Sequence, residues 1–233
     1  MKQSSPSSHV VPLTRESLIA DALRRSIKEA NPQAYVWSDQ ELNESLDSTL
    51  GEAPNRRHIW VFGYGSLLWN PLIDIVARKP GVVYGYHRRF CMIAPTGRGT
   101  PQNPGLILAL DAGGSCQGII LKVNPNNVRS ELELMWRREM VVGSYRPRWV
   151  TVRTGEGHKV ALTFVMNRKH QSYRDKLPIQ KIARTLASAS GVLGSNADYL
   201  FDTLACLHKL GLDDKSLNDL ARRVRLIQNK KKL

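Results

Sequence analysis

Between Ile59 and Asn167 the chain repeatedly sets down short runs of branched and aromatic residues, and these restrict its fold more than any other feature. The runs are "IWVF", "GVVYGYHRRFCMI", "GLILALDA", "CQGIILKV", "RWVTVRT" and "KVALTFVMN", separated by Gly, Pro and Asn signals. Such runs read as strands, with "AGG" at 112–114 and "GEGH" at 155–158 as hairpin turns between them. One helical pattern is inserted, from about Asn127 to Val141. After the last strand the chain turns helical in "LPIQKIARTLASAS", "NADYLFDTLACLHKL" and "LNDLARRVRLIQN". This order predicts an α+β fold, a small mixed β-barrel or curved sheet with helices packed outside.

The first 57 residues read as a helical extension and linker. Ser38 and Glu41 fit a capping box, followed by Leu42, Leu46 and Leu50 at every fourth position. Upstream, "SLIADALRRSIKEAN" puts Leu18, Ala22, Leu23 and Ile27 on one stripe. Residues 58–228 form the main domain, and 229–233 a basic tail.

No apolar run approaches the roughly 18 residues of a membrane span, and the N-terminus lacks the apolar stretch of a secretory signal. A cytosolic (cytoplasmic) protein is the expectation. Cys91, Cys116 and Cys206 are far apart and odd in number, so they read as reduced, buried thiols. No histidine–carboxylate cluster suggests a metal site. The net charge of +14 permits an anionic partner of any size. It accompanies no RNP-like aromatic motif, zinc knuckle or helix-turn-helix spacing, so no nucleic-acid partner is expected.

Two places break local rules. The first strand gives way at Gly63-Tyr64-Gly65-Ser66. Glycines let a ligand approach the backbone closely, and a tight loop after a strand can aim N–H groups into one concavity. A plain turn with a packed tyrosine is the competing reading. The spacing matches neither a P-loop nor a dinucleotide fingerprint. In the inserted helix Val128, Leu132 and Met135 share a face, and Glu139 falls on the same stripe. Glu131 and Glu133 point elsewhere, and Glu133 is spaced for an exposed pair with Arg137. Three readings of Glu139 compete with a catalytic one: pairing with Arg137 or Arg138, fraying of the helix end, or a half-exposed face. If Glu139 faces a cavity, desolvation and the helix C-terminus both raise its pKa toward the range of a general acid–base.

In order, "WVFGYGSLLWNP", "GYHRRFCM", "GRGT", "MWRREMVVGSY" and "SGVLGSNADYLF" resemble the ChaC family, the glutathione-specific γ-glutamylcyclotransferases. The resemblance runs from about Ile59 to Val224. It implies the γ-glutamylcyclotransferase-like fold, reduced glutathione as substrate, no cofactor, and Glu139 as the catalytic residue. It assigns the backbone around Val61, Phe62, Gly63, Tyr64, Gly65, Ser66 and Leu67 to the γ-glutamyl group. Tyr145 and Tyr173 fall where that fold tends to place substrate-facing tyrosines, with plain packing as the alternative. Arg98 in "GRGT" is a candidate carboxylate partner or a solvated arginine. Ser144 stands where the family commonly has the second glycine of a GGY turn, which bears on the turn's shape.

Overall fold

The computed structural model describes residues 13–230 of the chain. The first twelve residues, on which the expectation of no secretory signal rests, and the last three of the basic tail lie outside that span.

An N-terminal arm comes first, with helices α1 (Arg15–Ile19), α2 (Ala22–Ala30) and α3 (Asp39–Gly51). The single amphipathic stripe is broken into α1 and α2 because Asp21 takes a left-handed conformation, φ 54°. The capping box at Ser38 and Glu41 forms as read, and Leu42 and Leu46 pack into the barrel's core.

The barrel is built from β1 (Trp60–Gly63), β2 (Ile75–Ala94), β3 (Gly105–Val123), β4 (Tyr145–Thr154) and β5 (Gly157–Met166). Helix α4 (Val128–Glu139) enters between β3 and β4. The order β1–β3–β2–β4–β5 closes on itself through parallel pairings, Val61 with Leu162 and Leu110 with Val165.

The "AGG" turn is corrected. Ala112, Gly113 and Gly114 lie inside one long strand, and the β2–β3 hairpin turns instead between Ala94 and Gly105. Across from them, register slips between Tyr84 and Tyr86. Gly85, Gly113 and Gly114 all have positive φ, so the glycines build a bulge that bends a continuous ribbon.

Helix α5 (Ile179–Ser188), the two-residue strands β6 (Ser190–Gly191) and β7 (Gly194–Ser195), and helices α6 (Asn196–Lys209) and α7 (Lys215–Lys230) complete the fold. They share a core with one side of the barrel through Phe90, Leu106, Leu108 and Leu121. Helix α7 runs through Lys230, so Asn229 and Lys230 are helical. Cys91 and Cys116 are buried and Cys206 half-buried, all as free thiols. Burial pushes Cys91 up to about 12, which leaves it protonated and inert.

Helix α4 is enclosed on more than its barrel face. Glu131, 1% exposed, accepts two hydrogen bonds from Arg15 at 2.5 and 2.6 Å and a third from the Asp74 N–H. Glu131 thus lies off the apolar stripe, as its phase predicts, and the side it occupies is covered by the arm. Arg137 lies 3.8 and 3.7 Å from Asp21 and Asp39, and Glu133 pairs with Arg129 rather than Arg137.

Candidate active site

A cavity of about 860 Å³ opens where the C-terminus of α4 meets the loop after β1, the ends of β2 and β3, Tyr199 of α6 and the arm. Glu139 is the last residue of α4, and its side chain is 13% exposed. Met135 and Leu132, one and two turns earlier on the same stripe, are buried in the barrel core. The helical phase therefore does carry this carboxylate inward. Burial raises the Glu139 pKa above the usual carboxylate range, and the adjacent Arg138 guanidinium opposes part of that rise. Arg138 Nε sits 2.9 Å from Glu139 Oε1.

The loop is held from three sides. Tyr64 donates its hydroxyl proton to the Phe164 carbonyl at 2.8 Å, tying the loop to β5. Ser66–Leu68 form a single 3₁₀ turn, whose Leu68 N–H bonds back to the Gly65 carbonyl at 2.9 Å. Arg138 donates to Ser66 Oγ at 2.6 Å and to the Asn70 carbonyl, so one side chain joins the loop to α4. The N–H groups of Gly65, Ser66 and Leu67 have no hydrogen-bond acceptor among the described residues. Gly65 is glycine for a spatial reason: a Cβ there would stand 3.0 Å from the Tyr199 hydroxyl oxygen.

Three buried tyrosines surround this floor. Tyr145 donates to the Leu108 carbonyl at 3.0 Å, and burial pushes Tyr64 and Tyr145 well above the usual phenol range. Tyr199 is pushed up to about 12, chiefly by burial and then by Glu139. All three are therefore neutral hydroxyls. Since Tyr64 and Tyr145 spend their protons on backbone carbonyls, their oxygens are left to accept.

Of the residues singled out from sequence, Glu139, Tyr64, Gly65, Ser66, Leu67 and Tyr145 line the cavity together. Val61, Phe62 and Gly63 do not line it. Val61 and Phe62 are fully buried β1 side chains in the barrel core, and Gly63 is packed against the Leu67 Cβ, 3.0 Å from where its own Cβ would be. Tyr173 is also turned away, its hydroxyl donating to Asp111 at 3.1 Å beside Arg168. Arg98 lines the cavity, stacks over the Tyr199 ring at 5.5 Å and donates to the Ser195 carbonyl at 3.1 Å. Among the described residues no carboxylate pairs with it, and burial lowers its pKa, so it is not a solvated arginine. The turn after α4 forms with Gly143 at φ 66°, and Ser144 follows in ordinary backbone conformation, its carbonyl accepting from Asn167. The serine therefore leaves the turn intact.

Sequence reasoning missed Tyr199 and the arm's contribution to the cavity. Tyr199 lies in the motif "SGVLGSNADYLF", which carries the family resemblance but marks no single residue as facing a ligand. Among the described residues there is no group of three His, Cys, Asp or Glu side chains placed to hold a metal ion, and no helix long and apolar enough to cross a membrane.

A largely buried carboxylate, three neutral phenols and a loop with free N–H groups thus meet at one cavity beside the closed barrel. The chain belongs to the family of ChaC-like proteins, whose model matches residues 59–227. It is 40% identical over 189 residues to the glutathione-specific γ-glutamylcyclotransferase of Escherichia coli K12, covering 81% of this chain and 82% of that protein. It is 28% identical to the Schizosaccharomyces pombe protein of the same name, over 69% of this chain and 88% of that one. In fold it resembles the crystal structure of a yeast γ-glutamylcyclotransferase specific to glutathione. There the TM-score is 0.67 at 21% identity, covering 72% of this chain and 96% of that one.

Proposed function

We propose that the protein cleaves reduced glutathione by intramolecular aminolysis, releasing 5-oxoproline and cysteinylglycine. The observation that carries the reading is the placement of Glu139: a carboxylate of raised pKa on the cavity floor, facing a loop with unused N–H groups. The name of the 40% identical relative points to the same substrate.

The reaction consumes no water and moves two protons, one after the other, from the attacking to the departing nitrogen. Glu139 takes a proton from the α-ammonium of the γ-glutamyl group, and the freed amine attacks the γ-carbonyl carbon. As the C–N bond to cysteine breaks, protonated Glu139 returns that proton to the departing nitrogen; the second proton of the attacking nitrogen then follows through the regenerated carboxylate, so 5-oxoproline leaves as a neutral lactam and cysteinylglycine as its ammonium. Its raised pKa suits both halves of this exchange. The N–H groups of Gly65, Ser66 and Leu67 hold either the α-carboxylate or the developing oxyanion, and the Tyr64 and Tyr145 oxygens accept from the ammonium. Arg98, without an acidic partner, supplies a cation for a substrate carboxylate at the Tyr199 side. Holding the substrate folded brings amine and carbonyl to attack distance, which is worth several kcal/mol on the order of intramolecular precedents.

The test is 5-oxoproline release from reduced glutathione by purified protein and by Glu139→Gln. The expected result is turnover by the native chain and a loss of roughly 10²- to 10⁴-fold in the variant. Native-rate turnover by the variant removes Glu139 from the mechanism, and no turnover by either removes the reaction.

A further inference from the structure

Resting on that reading, we infer that Arg174 binds the terminal carboxylate of the departing dipeptide, with Asn31 and Gln33 of the N-terminal arm beside it. These three residues line the same cavity as Glu139, together with His170, Gln171 and Ser172. The arm is brought there by specific contacts. The Trp37 N–H donates to the Val141 carbonyl at 2.9 Å, and its indole fills the space a Cβ on Gly143 would occupy. From the other side, the Asn167 N–H bonds to the Ser144 carbonyl at 3.0 Å, and the Arg174 and Ile93 N–H groups engage the 167–174 segment with β2. The turn after α4 is thus flanked by the arm on one side and by the Arg174 segment on the other.

Charge singles out Arg174. Three arginines line the cavity, and Arg138 is neutralised by Glu139. Arg98 and Arg174 have no carboxylate within ion-pair distance among the described residues, and glutathione brings two carboxylates. Arg98 lies over Tyr199, whose hydroxyl borders Gly65, so it belongs to the γ-glutamyl end. Arg174 is the cation left for the far carboxylate. Its Nη1 is pinned by the Gln171 and Tyr173 carbonyls at 2.6 and 2.7 Å, which orients the guanidinium while Nη2 and Nε find no acceptor among the described residues. The Gln33 side-chain amide likewise makes no hydrogen bond among them. A planar fork held at one edge and open at the other is suited to a carboxylate. The arm precedes the residues that the family model matches, so Asn31 and Gln33 contribute a wall from outside the matched region.

The experiment compares glutathione with γ-glutamylcysteine, which has the same scissile bond but no glycine, on the native chain, Arg174→Met and Arg174→Lys. The native chain is expected to prefer glutathione in kcat/KM. Arg174→Met should lose that preference by roughly ten-fold or more, through KM, with a smaller loss on γ-glutamylcysteine, whose terminal carboxylate lies one residue nearer the scissile bond; Arg174→Lys should keep part of it. Equal loss on both substrates, or a preference kept by Arg174→Met, overturns the subsite and leaves the reaction standing. Turnover of neither substrate by the native chain overturns the reaction and the subsite together.

Discussion

Arg138 Nε and Glu139 Oε1 stand 2.9 Å apart although the two residues are consecutive, and both side chains turn into the protein, 5% and 13% exposed. Neighbours on a helix diverge by about 100°, so they meet here because α4 ends at Glu139. The pair has two tasks. It moderates the pKa of the carboxylate and, through Ser66 and Asn70, fixes the substrate loop to the helix that carries that carboxylate.

Arg138→Met should therefore act twice. Without the guanidinium, Glu139 loses the one influence that lowers its pKa, so the acid limb of the kcat/KM–pH profile shifts to higher pH. Activity at neutral pH should fall by about 10- to 100-fold, reflecting lost hydrogen bonds from a charged donor. A pH profile of kcat/KM checks both. A drop in rate with an unmoved acid limb would show that Arg138 only positions the loop.

Glu139→Gln should be more stable than the native chain at neutral and alkaline pH. A carboxyl whose pKa is raised by folding contributes stability fully only below its unfolded value, near 4.5. That contribution is lost as pH rises through the higher folded value, and glutamine removes the loss. The gain should appear as a higher Tm, about 2–4 °C for each kcal/mol recovered, and should vanish below the unfolded pKa. Thermal melts at acid and neutral pH decide it. Parallel melting curves at both would contradict a buried, strained carboxylate.

Gly65→Ala should destabilise the fold by about 1–3 kcal/mol and slow turnover, because the new methyl meets the Tyr199 hydroxyl. Tyr199→Phe in the same chain removes the obstructing oxygen, and the double variant should regain much of the lost stability. Urea denaturation of the four-member cycle measures the coupling. Additive effects would mean that the glycine serves the loop in some other way.

Much of this architecture is legible in the residues, and the exceptions have physical causes. Branched runs locate all five barrel strands, and the phase of α4 carries Glu139 inward, because both signals are local periodicities. The glycines at 113 and 114 look like a turn because positive φ serves a hairpin and a bulge equally well, and only the partner strand distinguishes them. The resemblance assigns the backbone around Val61 and Phe62 to the γ-glutamyl group, while their side chains are buried in the barrel, since a motif marks a segment and not which of its atoms face a ligand. Tyr173 is drawn off by Asp111, which is nearly inaccessible and lies 62 residues away in sequence. Glu131 seemed to face away from the core because a single apolar stripe implies a solvent side, but the arm covers that side through Arg15.

The closure of the barrel also governs when the site can exist during synthesis. Tyr64 is anchored by Phe164, 100 residues later, and the Phe62 carbonyl accepts from Thr163, 101 residues later. A nascent chain thus carries its glycine loop and its arm long before the strand that secures them has been made. Contacts of such sequence separation form slowly, and a chain cut short before β5 would have neither a closed barrel nor a seated Tyr64. The glycine loop and Glu139 are translated before β5, and Arg174 and Tyr199 after it, so a chain cut short before β5 would hold Glu139 without a seated loop.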